Sequence, residues 1–212
     1  MEIFFSMNIK KIVIIAATVV ISVVTLLLLN LVKEMPMREL IYAAVSALFL
    51  IFGSIILKLL SPKISFKRFF CFLPLRLNHF FIIFWAILLA ISGSYILNYF
   101  ELLLAKAIGI GSYSAALSGM NIDNVWIMLL SIGLIPAVFE EIFFRGACLS
   151  SLNFFNGFLA VLVTSLFFVA IHGTPYGILC YLFVGFVFSY LTITTGTVFC
   201  AMIAHLINNI IS

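Results

Sequence analysis

Seven apolar runs follow one another along this chain, most of them near the length of a helix that crosses a bilayer. They are Ile12–Val32, Leu40–Leu60, Phe80–Phe100, Val125–Leu152, Gly157–His172, Tyr176–Thr194 and Val198–Ile211. A hydrocarbon layer about 30 Å thick needs about 20 helical residues. Backbone polar groups in lipid must be satisfied within their own segment, so apolar runs of this length predict helices. The chain is 66% hydrophobic and 8% charged, against about 45–50% and about 25% in soluble domains. These residues predict an all-α, polytopic transmembrane bundle of seven helices, or eight if the connection Glu101–Asn124 hides another. The first run follows Lys10 and Lys11 but is too long for a signal-peptide core, so it is read as a retained membrane helix.

Charge sits where orientation would put it. The formal net charge of +4 is not gathered into a stripe, so nucleic acid is not an expected partner, whereas membrane lipids are. Most Lys and Arg residues lie at the N-terminus and in Lys58–Arg76, which predicts that both are cytoplasmic in a multi-pass cell-membrane protein. Ser61–His79 interleaves Lys63, Lys67, Arg68 and Arg76 with phenylalanines. That pattern fits either a segment lying on anionic headgroups or a plain topogenic loop. Cys71, Cys148, Cys180 and Cys200 lack CxxC spacing and read as reduced thiols.

Against this background, ionisable residues inside the apolar runs are costly and need a reason. The chain holds seven acidic residues, and two, Glu140 and Glu141, stand side by side in the fourth run. Glu141 and Arg145 share a helix face and can pair, so Glu141 reads first as a helix lock and second as part of a site. Glu140 points about 100° away and has no partner on its own helix, which makes it the stronger catalytic candidate. Pro136 removes the donor for the Ile132 carbonyl, so a kink is expected one turn before Glu140. The short turn Asn153–Gly157 makes helices four and five antiparallel neighbours. Glu140 and His172 are equally far from Asn156 in sequence, which places both about 24 Å along their helices if each rises as an α-helix. His205 and Asn209 share one face of the last helix at a similar depth.

A carboxylate and an imidazole that face each other can activate water, and a second imidazole with an amide can stabilise an oxyanion. Alternatively, Glu140, His172 and His205 form a two-imidazole, one-carboxylate set of the kind that holds zinc or another divalent metal. The residues leave the metal-dependent and metal-free schemes open.

The three motifs Glu140-Glu141-x-x-x-Arg145, Phe168-x-x-x-His172 and His205-x-x-x-Asn209 resemble those of the CPBP family of intramembrane proteases, which comprises type II CAAX prenyl endopeptidases and Abi-type bacteriocin-processing or immunity proteins. The resemblance covers 125–212 and divides the chain into N-terminal helices and loops, 1–124, and a catalytic core, 125–212. It implies that Glu140 and His172 activate water, that Glu141, Arg145 and Phe168 support the site, and that His205 and Asn209 stabilise the oxyanion or bind metal. The implied substrate is a membrane-associated peptide or lipidated protein. Other readings are a bacteriocin self-immunity protein on the same fold, and a membrane scaffold whose polar residues only hold helices together.

Overall fold

In the computed structural model, residues 12–21, 23, 24, 27, 38–108, 124–172 and 177–211 are described. They are helical apart from short turns, with no strand among them. The elements are α1 (Ile12–Ile21), α2 (Arg38–Leu60), α3 (Phe66–Phe69), α4 (Leu77–Ile108), α5 (Val125–Ser151), α6 (Gly157–His172), α7 (Ile178–Thr195) and α8 (Val198–Ile211). Four of these are long and apolar enough to cross a bilayer, namely α2, α4, α5 and α7, and α1, α6 and α8 are shorter apolar helices. The all-α polytopic bundle expected from the sequence is the architecture found. The expected end of the first helix near Val32 and most of the Glu101–Asn124 connection lie outside the described residues.

Two apolar cores join the helices. One gathers Ile14, Leu50, Leu57, Phe69, Phe143 and Leu152 from α1, α2, α3, α5 and the turn after α5. The other gathers Ile83, Ala90, Val184, Phe188 and Ala201 from α4, α7 and α8. Outward-facing positions remain apolar, as at Phe52, Leu59, Phe81, Trp85, Ile96 and Tyr99. In water such a surface would drive association, and in lipid it is the matching solvent.

The α5 helix departs from the expected simple kink. It changes to π-helix over Leu129–Leu134, returns to α over Ile135–Glu141 and opens again to π over Ile142–Cys148. Pro136 stands in the first turn of the α stretch, directly after the first π stretch. The Ile132 carbonyl that proline leaves without its α-type donor accepts a bond from Asn209 Nδ2 of α8 at 2.9 Å. Within the second π stretch, a Cβ on Gly146 would lie 3.3 Å from both Cα and O of Phe70, so glycine permits this close backbone approach.

The α5–α6 hairpin falls where the sequence placed it. Asn156 Oδ1 accepts from Leu159 N at 2.8 Å and so caps α6. The third span runs from Leu77 to Ile108 instead of ending near Phe100, so Glu101 is helical and the following connection begins later. The basic segment is folded against the bundle. Lys63, Lys67, Arg68 and Arg76 are exposed, whereas Phe69 and Phe70 are buried. Thr197 Oγ1 donates to Leu73 O at 2.7 Å, Val198 N donates to Cys71 O at 3.0 Å, and Phe72 stacks on Phe199 at 5.7 Å. Its aromatics therefore anchor it to the protein as much as to any surface beyond. All four cysteines are free thiols.

Candidate active site

The site is built around Glu141. Its side chain is fully buried between α5 and α8, where one oxygen, Oε1, accepts from two cations or potential cations. Arg145 Nη1 donates to it at 2.8 Å along the helix, and His205 Nδ1 of α8 bonds it at 2.8 Å across the interface. A carboxylate only accepts, so His205 carries its proton on Nδ1 and turns Nε2 elsewhere. The expected i,i+4 pair is thus present, and the second imidazole joins it as a partner the spacing alone did not show.

Arg145 is also fully buried, an unusual state for a guanidinium unless every face is occupied. Nη2 donates to Gly185 O of α7 at 3.3 Å. Its plane lies 4.6 Å from the Phe168 ring centroid and 5.6 Å from that of Phe188, so aromatic faces replace water around the charge. The close approach of α7 that makes this possible depends on Gly185. A Cβ there would sit 2.9 Å from Ser165 Cβ and 3.2 Å from Ser165 Cα.

Phe168 is the hub between the two histidines. Its centroid is 6.1 Å from the His205 ring and 4.7 Å from the His172 ring, and Phe144 meets it edge-on at 5.3 Å. His172 Nδ1 lies 2.7 Å from Phe168 O. A carbonyl accepts, so that nitrogen donates and the neutral ring presents Nε2 as its lone-pair face. Tyr181 of α7 stacks on the imidazole at 3.9 Å and 27°. Neither Tyr181 nor its stacking was foreseen from the sequence, because it stands four residues into a helix with no motif around it.

Glu140 lies in the field of His205, Glu141 and Arg145, and its Oε2, like Glu141 Oε2 and Arg145 Nε, is buried with no hydrogen-bond partner among the described residues. Such an atom marks either strain or a place where a small polar molecule is handled. No hydrogen bond among the described residues joins Glu140 to His172, although the sequence register set them opposite. The π stretch at Ile142–Cys148, with its i→i+5 bonding, lies between Glu140 and the hairpin turn, so an α-helical count does not hold along this part of α5. Asn209, on the same face of α8 as His205, spends one amide hydrogen on Ile132 O and retains the other.

Among the described residues no three His, Cys, Asp or Glu side chains are grouped closely enough to hold a metal ion. His205 Nδ1 bonds Glu141 and His172 Nδ1 bonds Phe168 O, which leaves Nε2 of each ring outside those bonds.

A polytopic helical bundle with a buried carboxylate–guanidinium–imidazole cluster is the class these observations define. Residues 122–211 match the family described as Type II CAAX prenyl endopeptidase Rce1-like. The resemblance read from the three motifs is thereby borne out over the region that contains them, and it marks the C-terminal part of this chain as CAAX-protease-like. No curated protein and no solved structure gives a match.

Proposed function

We propose that the chain is an intramembrane endopeptidase that cuts a membrane-associated, lipidated peptide by a metal-free, glutamate-dependent route. The observation that carries the reading is the buried, unpartnered Oε2 of Glu140 beside the Glu141–Arg145–His205 network, within a region that matches a CAAX prenyl endopeptidase family.

In this scheme water binds between Glu140 and the Nε2 face of His172. Glu140 takes a proton as the oxygen adds to the scissile carbonyl, which is general-base catalysis. The oxyanion is held by the remaining Asn209 amide hydrogen and by His205 when Nε2 is protonated, its charge balanced by Glu141. The proton on Glu140 then passes to the departing nitrogen, the C–N bond breaks, and a carboxylate and an amine are released. Arg145 pairs with Glu141 and orients it, and Phe168 holds both imidazoles in register. Exclusion of bulk solvent strengthens each of these electrostatic contacts.

The test is direct. The protein, purified in detergent or nanodiscs, is offered a quenched fluorescent peptide ending in a farnesylated Cys-aliphatic-aliphatic-X sequence, and mass spectrometry locates the cut. Cleavage after the lipidated cysteine, with little turnover of the unlipidated peptide, supports the reading. Absence of cleavage of either peptide by folded protein counts against it.

A further inference from the structure

Glu101 stands 24 positions into α4, about 36 Å along the axis from Leu77. That is beyond a layer about 30 Å thick beginning at Leu77. Its side chain is half-buried. Oε2 accepts from Gly177 N at 2.6 Å and Oε1 accepts from Leu179 N at 2.5 Å. Those two N–H groups open α7, and no residue of α7 itself caps them, since its N-cap is Gly177. A carboxylate 76 residues away in sequence therefore does the work of an N-cap.

The same first turn carries the residue that meets His172. Tyr181 N donates to Gly177 O at 2.8 Å, and a Cβ on Gly177 would lie 3.1 Å from the Tyr181 ring. Gly177 has φ +77°, a left-handed conformation that L residues rarely adopt, so the turn is fixed by both its backbone and the space beside it. Tyr181 then lies face-on against the His172 imidazole at 3.9 Å, while Phe168 meets the ring edge-on at 4.7 Å. The chain of contacts runs from Glu101 to the first turn of α7, to Tyr181, to the imidazole.

We propose that Glu101 is a positioning residue for the site: by clamping the start of α7 it sets Tyr181 against His172 and so fixes where the imidazole Nε2 points. The catalytic part of this statement rests on the endopeptidase reading above, but the geometric part does not. Asn124 at the start of α5 makes the contrast. There the cap is local, with Asn124 Oδ1 accepting from Trp126 N at 2.9 Å, and no other helix is brought into register by it. At α7 the cap comes from a different helix, so its loss would move one element relative to another instead of only fraying an end.

The experiment uses full-length protein labelled with 13C and 15N histidine. It contains only three histidines, His79, His172 and His205, and the His172 signals are assigned by their loss in His172→Gln. Wild type, Glu101→Ala, Glu101→Gln and Tyr181→Leu are compared in nanodiscs. A face-stacked tyrosine displaces imidazole proton signals upfield. That displacement is expected to vanish in Tyr181→Leu and in Glu101→Ala, and to survive in part in Glu101→Gln, whose single carbonyl oxygen keeps one of the two bonds. On the farnesylated peptide, Glu101→Ala should lower kcat by about tenfold, the worth of one charge-assisted hydrogen bond, with KM changed much less. If Glu101→Ala does not fold, Glu101→Gln carries the same comparison. A His172 signal at its wild-type position in folded Glu101→Ala or Glu101→Gln overturns the proposal, even if the melting temperature falls. Failure of the wild type to cleave counts against the endopeptidase reading alone, since the imidazole signals still decide the clamp.

Discussion

Replacing Arg145 by alanine is the most revealing structural perturbation. The guanidinium is fully buried and makes three kinds of contact: Nη1 to Glu141 Oε1 at 2.8 Å, Nη2 to Gly185 O at 3.3 Å, and a face of Phe168 at 4.6 Å. Alanine deletes all three and strands the Glu141 carboxylate with only His205. Breaking a buried ion pair from one side costs about 3–5 kcal/mol, and a desolvated cation–π contact about 2 kcal/mol. Neutral interhelical bonds in membranes are far weaker, about 0.6 kcal/mol on average and about 1.7 at most. The two classes are thus separable by size. Arg145→Ala should destabilise by about 3–5 kcal/mol, and Arg145→Lys by less, because an ammonium keeps the Glu141 charge pair but cannot fork to Gly185. Removing both charges with Glu141→Ala, Arg145→Ala should cost less than the sum of the single changes by about 1–3 kcal/mol. Reversible unfolding in mixed micelles, with the fraction folded followed by circular dichroism, measures each value. A loss below about 1 kcal/mol for Arg145→Ala, the level of an exposed pair, would refute the claim that this network is sealed and charged.

Smaller perturbations test other links. Asn209→Ala, which removes the donor to Ile132 O, should destabilise by about 0.6–1.7 kcal/mol in the same unfolding assay. Gly185→Ala forces a Cβ onto Ser165 and should cost about 1–3 kcal/mol by overpacking, whereas Gly157→Ala, with open space around it, should stabilise by about 0.4–1 kcal/mol. Cleavage of the farnesylated peptide should persist after dialysis against a strong zinc chelator, and a loss of activity restored by added zinc would contradict the metal-free scheme.

Four spans were legible in the sequence because lipid imposes one strong rule, a helix of about 20 apolar residues, whereas α6 and α8 are shorter than that rule asks. The Glu141–Arg145 pair was legible because both partners stand on one helix face. The α5–α6 hairpin was legible because Asn153–Gly157 is too short for any other connection. What escaped depends on contacts between distant segments. The two π stretches of α5 carry no pattern that separates them from α-helix, yet the second lies between Glu140 and the hairpin turn and breaks the α-helical count there. The bond from His205 to Glu141 and the stack of Tyr181 on His172 arise only once α7 and α8 are packed. Glu101 read as the start of a connection, because a charge normally ends an apolar run. Here its carboxylate is satisfied by the α7 N-terminus, and α4 continues to Ile108.

The most direct measurement for the whole account is turnover of the farnesylated peptide by Glu140→Gln beside wild type, with unfolding of both proteins followed in parallel. Glutamine keeps the size of the side chain but cannot take a proton from water. The account predicts a rate at least about 100-fold lower, the usual worth of a positioned base, with the unfolding curve unchanged. Cleavage by Glu140→Gln within a few-fold of wild type would contradict it.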